Sequence, residues 1–569
     1  MIIDGRRMKN HPSCLALGAA WLALGAYFAG SSASAAQPPL ARPSAAQYAW
    51  HEQERIMFVH FGVATWENSE TDRDGTTNLS RMDPAAFSGD AICAAAKAWG
   101  ARQVLLVAKH VGGFCWWPTQ TTDYCTRSIP WREGKGDLVR EVAEACRRHG
   151  LAMGVYLYPD DPRFAKAIGR SGKTDEPARQ EEYNRLFRQQ WEEVLAICGP
   201  DLVREVWLDG GCEIELGDIL ARRAPNAVVF QGRNASIRWV GNEKGITRDP
   251  NWNSLGQTTL TTGVATQLHG TPYGDAWAPV ECDTTLYEHK WFWAPQHEVK
   301  RKSLLHLLSL YIQSVGRGSV LVLNSTPTTE GRIPEGDQAR YRELGEAIER
   351  NFGRPLAAVT DKTARDVELD LGGVQRINCS DLWEDYRQGH RIRAYVVEGR
   401  VNGAWVKLAQ GTAVGRRKLD LFGTVAADRV RVRVTENVGA PLIRGLQVHT
   451  VDEALLQPAN RVEASDHWWP AGEWKMGGDV RVDLSMAVTQ AGQYEVRFQV
   501  GKGGKPAVLK RTEVRFDGQE AAAVFSTGVG TPTLNINRTQ VVGEDASTAL
   551  RVELDAPAGS SGTVQIRRK

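Results

Sequence analysis

Short apolar runs that end in polar residues, separated by helical patterns, restrict this chain to few folds. Such runs lie at residues 57–62, 104–110, 153–158, 206–209 and 318–324. Their nearly continuous apolar character is typical of parallel strands that are covered on both faces. Helical patterns separate them at 91–99, 137–149, 180–197 and 214–223. Strands and helices that alternate in this way predict an α/β fold, with a (β/α)8-type TIM-like barrel.

The length of 569 residues exceeds what a single core usually supports and favours two to four domains. We assign residues 37–355 to the barrel, which ends with the strand at 318–324 and a helix at 339–351. Short alternating segments at 391–397 and 429–434 predict a β-sandwich over 356–455, and the run at 494–500 predicts a second all-β domain over 456–569. Both β-domains are compatible with glycan binding and with a purely structural role.

The N-terminal residues have the pattern of a targeting segment. Arg6, Arg7 and Lys9 precede an apolar stretch at 15–28, and Ala-Ser-Ala at 33–35 has the small residues of a cleavage site. This pattern predicts that residues 1–36 are a secretory signal peptide and that the protein is exported, to the periplasm or the extracellular space. No other stretch is long and apolar enough to cross a bilayer, so we expect no membrane anchor.

Composition narrows the class of ligand. The 69 Lys and Arg residues nearly balance 67 Asp and Glu residues, so the net charge does not favour a nucleic-acid partner. Nineteen tryptophans favour carbohydrate, because aromatic faces stack on sugar rings, although tryptophan also fills cores. The cysteines lack a C-x-x-C spacing, so we expect buried thiols, no metal and no cofactor; Cys115 and Cys125 are the pair that is closest to a disulfide spacing.

Asp209 is the most informative single residue, because it ends the run Val-Trp-Leu-Asp-Gly-Gly at 206–211. A carboxylate that closes a strand and precedes two glycines is held on a rigid element, with little bulk to block a ligand. For an isolated aspartate, helix capping would be the better interpretation. Polar residues at the ends of the neighbouring strands favour a nucleophile instead.

Seven motifs, in chain order, resemble those of one enzyme family. They are His-Phe-Gly at 60–62, Ala-Lys-His at 108–110 with Gly-Phe-Cys-Trp at 113–116, Gly-Asp-Leu-Val at 136–139, Gly-Val-Tyr at 154–156, Val-Trp-Leu-Asp-Gly at 206–210, Arg-Trp-Val-Gly-Asn-Glu at 238–243 and Pro-Val-Glu-Cys-Asp at 279–283. The chain resembles the α-L-fucosidases of glycoside hydrolase family 29, and more closely the branch that cleaves α-1,3/1,4-linked fucose. The resemblance covers about residues 45–355.

The resemblance implies a retaining exo-glycosidase that removes terminal α-L-fucosyl residues from an oligosaccharide or glycoconjugate. In that chemistry one carboxylate attacks the anomeric carbon, and a second protonates the leaving oxygen and later activates water. Asp209 matches the nucleophile of the family, and Glu243 matches the acid/base of the closer branch. Glu281 also falls in a family motif and stays open as an alternative acid/base.

Eight further residues are expected to bind the sugar. Taken singly, such histidines and aromatic residues are more often parts of a core, but their common placement near strand ends favours a pocket. The predicted substrate-binding residues are His60, Glu70, His110, Trp117, Tyr156, Trp207, Arg238 and Trp239.

Two departures from the family pattern leave the glycon open. The family usually has two adjacent histidines followed by Asp-Gly-Phe, whereas residues 110–114 read His-Val-Gly-Gly-Phe. A Glu-Trp pair reads Glu70-Thr71 here. An unpaired sugar hydroxyl typically costs about 1–3 kcal/mol, and Val111 and Thr71 leave space for a hydroxymethyl group at C5.

Three hypotheses follow from these motifs and departures. The first is an α-L-fucosidase, and the second is the same chemistry on a related L-sugar, as in an α-L-galactosidase or α-L-glucosidase. The third, from another class, is a non-catalytic glycan-binding protein. The presence of both Asp209 and Glu243 argues against the third, because a degenerate enzyme commonly loses one carboxylate.

Overall fold

The computed structural model describes residues 40–165, 169–256, 260 and 270–456, and beyond them the segments 469–475, 480–484, 492–500, 508–516, 519–521, 523–526, 533–538, 548–555 and 560–568. The predicted signal peptide at 1–36 lies outside these residues. Among the helices that are described, none is long and apolar enough to cross a membrane.

Eight parallel strands form the barrel that the sequence predicts. They run in the order β5, β4, β3, β2, β1, β10, β9 and β6, and an isolated parallel bridge between Phe230 and Ile237 joins the two ends. Two further strands, β7 and β8, pair as an antiparallel ribbon between β6 and β9. The bounds are β1 (Arg55–Val59), β2 (Gln103–Lys109), β3 (Ala152–Leu157), β4 (Val203–Trp207), β5 (Val228–Phe230), β6 (Arg238–Trp239), β7 (Ser254–Leu255), β8 (Ala276–Trp277), β9 (Val280–Thr284) and β10 (Val320–Ser325).

Helices cover the barrel where the sequence patterns place them, with two differences in where a helix begins: the helix expected at 339–351 already begins at Glu335. The helix expected at 214–223 begins three residues later, at Gly217. The helices are α1 (Ala45–His51), α2 (Ala64–Glu67), α3 (Gly89–Ala98), α4 (Leu138–His149), α5 (Pro162–Ala165), α6 (Gln180–Cys198), α7 (Gly217–Arg223), α8 (Leu304–Ser314) and α9 (Glu335–Phe352). Short 3₁₀ turns occupy Leu79–Arg81, Thr126–Ser128, Trp131–Gly134, Pro177–Arg179, Pro295–Lys300, Tyr386–Gln388 and Glu453–Leu456.

The helix α4 shows how local sequence sets these bounds. The Asp137 side chain caps its first turn by accepting a hydrogen bond from the backbone N–H of Arg140 at 2.9 Å. Its last turn carries Arg147, Arg148 and His149, which suit the negative end of the helix dipole. Gly150 then ends the helix in the left-handed region at φ +66°, which glycine adopts without strain.

An antiparallel six-stranded sheet follows the barrel, in the region where the alternating segments predict a β-sandwich. Its order is β11, β16, β12, β15, β13 and β14. The long strands β12 and β15 shift register between Asp370 and Gln375, and both halves of β12 contribute side chains to one apolar core. The bounds are β11 (Ala357–Lys362), β12 (Asp366–Glu384), β13 (Ile392–Val401), β14 (Ala404–Gly411), β15 (Lys418–Asn437) and β16 (Ile443–His449).

The last part of the chain forms two more antiparallel sheets in the described segments. The first has the order β17, β25, β19, β23 and β22, and the second has the order β18, β24, β20 and β21. The run expected at 494–500 lies in β19. The bounds are β17 (Trp469–Lys475), β18 (Val480–Asp483), β19 (Gly492–Val500), β20 (Val508–Phe516), β21 (Gln519–Ala521), β22 (Ala523–Ser526), β23 (Thr533–Arg538), β24 (Thr548–Asp555) and β25 (Ser561–Arg568).

Eight cysteines lie in the described residues, and all of them are buried thiols. Cys115 and Cys125 are partners in an isolated backbone bridge, yet they are not joined as a disulfide. Cys93 on α3 and Cys146 on α4 bring their sulfur atoms within 3.8 Å of each other.

A buried arginine joins the barrel to the first antiparallel sheet. Arg417, just before β15, donates to Asp381 Oδ2 of β12 at 2.6 Å and to the Tyr311 hydroxyl of α8 at 2.6 Å. It also lies 3.3 Å from Glu54, which precedes β1. Burial alone would raise the pKa of Asp381, but the charges and hydrogen bonds of Arg417 and His449 together outweigh burial and lower it. The guanidinium therefore neutralises carboxylates from both parts of the protein.

Replacing Arg417 with methionine is expected to lower the free energy of unfolding by about 3–5 kcal/mol, because it removes the guanidinium partner of the buried Asp381, whereas Glu54 keeps its ion pair with Arg416 at 2.7 Å. Urea denaturation followed by fluorescence measures this loss. Arg400→Met is the matched control, since its pair with Asp428 is about one-third exposed and such pairs are worth about 1 kcal/mol or less. Equal losses in the two variants would contradict a bracing role for Arg417.

Candidate active site

A cavity of about 380 Å³ opens at the C-terminal ends of the barrel strands. Of the predicted site residues, Asp209, Glu243, His60, Glu70, His110, Tyr156, Trp207 and Trp239 line it. Thr71 and Val111, the two departures from the family pattern, line it as well. The sequence interpretation missed the remaining lining residues, which are Phe58, Arg73, Tyr158, Phe230, Gln231, Asp283 and Trp291.

Asp209 follows the end of β4, and the hydroxyl of Tyr156 on β3 donates to its Oδ2 at 3.0 Å. Gly210 and Gly211 have φ angles of +77° and +84°, so the chain turns away from the carboxylate in a conformation that favours glycine. Burial raises the pKa of Asp209, and the nearby charge of Glu243 raises it further, against the lowering effect of Tyr156. The fold therefore presents a fixed carboxylate at the cavity floor.

Glu243 lies on the loop after β6 and is exposed to the cavity. The indole N–H of Trp291 donates to its Oε2 at 3.0 Å. Glu243 is close enough to raise the pKa of Asp209 by its charge, so the two carboxylates share one site.

Trp291 is itself fixed by its backbone. Its N–H donates to Glu70 Oε2 at 2.7 Å, and its carbonyl accepts from Asn324 Nδ2 at 3.0 Å. Glu70 also pairs with Lys290 at 3.4 Å. Glu70, predicted to bind sugar, thus anchors the tryptophan that holds Glu243.

His60 is held in one tautomer by the same asparagine. Asn324 donates through its amide nitrogen to Trp291, so its Oδ1 accepts from His60 Nδ1 at 2.8 Å. The remaining nitrogen, Nε2, is then an acceptor for a sugar hydroxyl. Burial lowers the pKa of His60 well below its usual value and that of His110 to about 3, so both imidazoles are neutral at pH 7.

Asp283 is a fourth carboxyl group in the cavity, beside Asp209, Glu243 and Glu70. Its Oδ1 accepts from the indole N–H of Trp239 at 2.6 Å. Burial raises its pKa to about 8, and the charge of Glu243 adds to the increase. It is therefore mostly protonated at pH 7. Strand alternation was the available signal, because Asp283 and Glu281 lie on the same face of β9.

Glu281, the alternative acid/base candidate, is not among the residues that line the cavity. The structure buries it below the cavity, where both of its oxygens accept from the indole N–H of Trp207, at 3.0 and 2.9 Å. Burial and the neighbouring Glu205 raise its pKa well above the usual value. A carboxyl group in this position supports Trp207 and does not reach the cavity.

Arg238 and Trp117 also lie outside the cavity, against expectation. Successive residues of a strand face opposite sides, so Trp239 and Arg238 of β6 cannot both face inward. Arg238 instead donates to Asn251 Oδ1 at 2.9 Å and to the Trp252 carbonyl at 2.6 Å. Trp117 is buried against α6, and its indole N–H donates to Glu193 at 2.8 Å.

Within the described residues, no three His, Cys, Asp or Glu side chains converge in the manner of a metal site. The groups that line the cavity are suited to hydrogen bonding, stacking and proton transfer.

The sequence profile described as Alpha-L-fucosidase matches residues 44–352, more than half of the chain. The chain belongs to the α-L-fucosidase family. It is a glycoside hydrolase.

Full-length relatives agree with this family. A rice protein (Oryza sativa subsp. japonica) whose name places it among the α-L-fucosidases is 31% identical over an alignment of 467 residues, and the match covers 73% of this chain and 86% of that protein. Alpha-L-fucosidase 1 of Arabidopsis thaliana is 29% identical over an alignment of 440 residues, and the match covers 69% of this chain and 84% of that protein. The crystal structure of a glycoside hydrolase 29 family member from a rumen bacterium, 25% identical, superposes with a TM-score of 0.65 over 94% of this chain and 100% of its own.

Replacing Trp291 with phenylalanine keeps the ring but removes the hydrogen bond to Glu243. A hydrogen bond to a charged group is worth about 1.5–3 kcal/mol, so we expect kcat/KM to fall about 10- to 100-fold on substrates with poor leaving groups. If Glu243 is the proton donor that the family resemblance implies, fucosides with good leaving groups need less acid assistance and should lose less. Trp293→Phe is the matched control, because its indole donates to Glu298 at 3.1 Å in the same segment. Equal losses on both kinds of leaving group would contradict this role.

The proton on Asp283 makes stability depend on pH. Its pKa is higher in the folded chain, about 8, than in an unfolded chain, about 4. The stabilising contribution is therefore complete below about pH 4 and is lost as the pH rises through 8. We expect Asp283→Asn, which keeps an acceptor for Trp239, to lose less stability than the wild type between pH 4.5 and 8.5 in urea denaturation. The control is Asp201→Asn at an exposed site; parallel curves for wild type and Asp283→Asn would refute the assignment.

Proposed function

We propose that the protein is an exported, retaining exo-α-L-fucosidase that removes terminal α-linked L-fucosyl residues from glycans. The observation that carries this proposal is that Asp209 and Glu243 line one cavity at the C-terminal end of the barrel. Export rests on the targeting pattern of residues 1–36. A preference for α-1,3 and α-1,4 linkages rests on the motif resemblance at 238–243.

In the first step Asp209 attacks the anomeric carbon, and the bond to the leaving oxygen breaks. Glu243 gives its proton to that oxygen, so the aglycone departs as a neutral alcohol and a fucosyl ester forms on Asp209. In the second step Glu243 takes a proton from water, whose oxygen attacks the same carbon and releases Asp209. Two inversions at the anomeric carbon give net retention.

The surroundings of Asp209 suit a nucleophile that must be released again. Tyr156 donates to Oδ2, which leaves Oδ1 as the oxygen without that bond. As negative charge leaves Asp209 during attack, the hydrogen bond weakens, and it strengthens again when the ester breaks. The neutral His60 and His110 and the protonated Asp283 add no competing charge to the cavity at pH 7.

The second candidate glycon is a related L-sugar such as L-galactose or L-glucose. Val111 and Thr71 do line the cavity, where they supply neither an imidazole nor an indole. Trp291 contributes an indole from a different segment, with its ring 4.7 Å from that of His60. This aromatic surface supports L-fucose as the first candidate, since it supplies apolar area beside His60.

A non-catalytic glycan-binding role is the alternative from another class. Such a protein needs aromatic surfaces and hydrogen-bonding groups but has no use for two carboxylates at one site. The hydrogen bonds that fix Asp209 and Glu243 support turnover. A protein that binds fucose without hydrolysing any aryl fucoside would favour the alternative.

Variants of the two carboxylates test the mechanism through the products that they form with azide. Glu243→Gln is expected to lower kcat/KM about 10²- to 10⁴-fold on poor leaving groups. With a 2,4-dinitrophenyl fucoside and azide, it should give α-fucosyl azide, because azide attacks the ester from the side of water. Asp209→Gly should give β-fucosyl azide instead. Nuclear magnetic resonance identifies the anomers. If Glu243→Gln gave the β-azide and Asp209→Gly the α-azide, Glu243 would be the nucleophile and Asp209 the acid/base.

A panel of aryl glycosides tests the glycon. We expect activity on aryl α-L-fucoside, and we expect Val111→His with Thr71→Trp to raise kcat/KM for the fucoside relative to the L-galactoside and L-glucoside, because the added groups favour the fucose transition state. Val374→His, at an exposed site on β12, is the control. Faster turnover of the L-galactoside or L-glucoside by the wild type would replace the first candidate with the second.

A further inference from the structure

Arg73 is the one cationic side chain among the described residues that line the cavity. The side chain is exposed, and no described group forms a hydrogen bond or an ion pair with it. Its charge lowers the pKa values of His110, Tyr158 and Asp209, so the guanidinium lies beside the catalytic carboxylate without bonding to it. A guanidinium with free donors at the edge of the cavity is an available recognition group.

The backbone on both sides of Arg73 is fixed. Asp72 is buried, and its Oδ2 accepts from the Tyr124 hydroxyl at 2.6 Å. Its carbonyl oxygen would lie 2.2 Å from a Cβ placed on Gly112, so the two backbones pack directly on each other. On the far side, the carbonyl of Gly75 accepts from Arg163 Nη1 at 2.7 Å. Arg73 therefore projects from a built segment rather than from a loose surface loop.

The same packing connects the two places where the motifs depart from the family pattern. Any side chain on Gly112 would clash with Asp72, so the segment at 110–114 must be small there for the segment at 70–75 to occupy its position. Thr71 and Val111 then lie on neighbouring walls of the cavity, with Arg73 beside them. These segments form one unit that places a cation in the cavity.

The position of Arg73 indicates which part of a substrate it meets. An exo-glycosidase encloses the terminal sugar, and the rest of the glycan leaves through the mouth. Asp209 is partly buried, whereas Arg73 is exposed, which places the guanidinium toward the mouth. Fucose carries only neutral hydroxyl groups, and a guanidinium is best matched by carboxylate or sulfate oxygens, which it can bind in a bidentate manner.

We propose that Arg73 forms an anion site at the cavity mouth, which selects fucosyl residues whose neighbouring sugar carries a carboxylate or sulfate group. This inference rests on the proposed fucosidase function. The substrate class is then an acidic glycan, and Arg73 sets the specificity for the sugar to which fucose is attached.

The kinetic test compares α-1,3- and α-1,4-linked fucosyl-glucose with its 6-sulfate and with fucosyl-glucuronic acid, at 20 mM and 300 mM salt. We expect kcat/KM for at least one acidic substrate to exceed that of the neutral one about 10-fold at low salt, and less at high salt. Preference for sulfate or for carboxylate identifies the natural group. Arg73→Met should bring the ratio to about one, and Arg73→Lys should give an intermediate ratio because lysine lacks the bidentate fork.

Arg233→Met is the control, since Arg233 is exposed near the cavity residue Gln231 but pairs with Glu213 at 3.3 Å. It should keep the wild-type ratio. A wild-type ratio of one or less, or a ratio that Arg73→Met leaves unchanged, would overturn the anion site.

A binding measurement separates this inference from the proposed function. Calorimetry with methyl glucuronide, methyl glucoside and methyl glucoside 6-sulfate requires no turnover. We expect wild type to bind an acidic glycoside about 10-fold more tightly than the neutral one, and Arg73→Met to lose that difference. If the protein hydrolyses no aryl fucoside but still binds acidic glycosides through Arg73, the proposed glycon is rejected and the anion site is kept. If it hydrolyses aryl fucosides but binds acidic and neutral glycosides equally well, the proposed function is kept and the anion site is rejected.

Discussion

Hydrogen bonds from indole groups to carboxyl groups hold the wall of the cavity, and the rest of the site depends on them. A tryptophan that is removed from water usually finds a partner for its indole N–H, and for the three tryptophans that line the cavity each partner is acidic. The bond fixes the ring plane and places the carboxyl group at the same time. The pairs are Trp207 with Glu281, Trp239 with Asp283, and Trp291 with Glu243. The indole rings of the cavity wall thus also position its carboxyl groups.

Two of these carboxyl groups lie on the strand β9, two residues apart. Glu281 and Asp283 face the same side, one below the cavity and one within it, so similar carboxyl groups take different roles. Burial raises the pKa of both, and the value of about 8 at Asp283 keeps that group mostly protonated at pH 7, so it adds little charge that would repel Asp209 and Glu243. The site therefore holds many acidic groups without a large negative charge at neutral pH.

Rigidity around the cavity comes from contacts far apart in sequence. Asn324 at the end of β10 connects His60 to the backbone of Trp291, and Glu70 holds that backbone from the other side. Arg417 connects the base of the barrel to the neighbouring sheet through Asp381. The strand ends around the cavity are thus braced both within the barrel and from outside it.

The sequence alone determined the barrel, the following antiparallel sheets and the family, because periodic burial and strand-end motifs are local properties. It also indicated Asp209 and Glu243, which lie in distinctive motifs. Tertiary structure decided which members of those motifs face the cavity, since neighbours in a strand point to opposite sides: Trp239 faces in and Arg238 faces out. It alone brought in Trp291, whose loop follows β9 and whose position depends on contacts with residues more than thirty positions away in the chain.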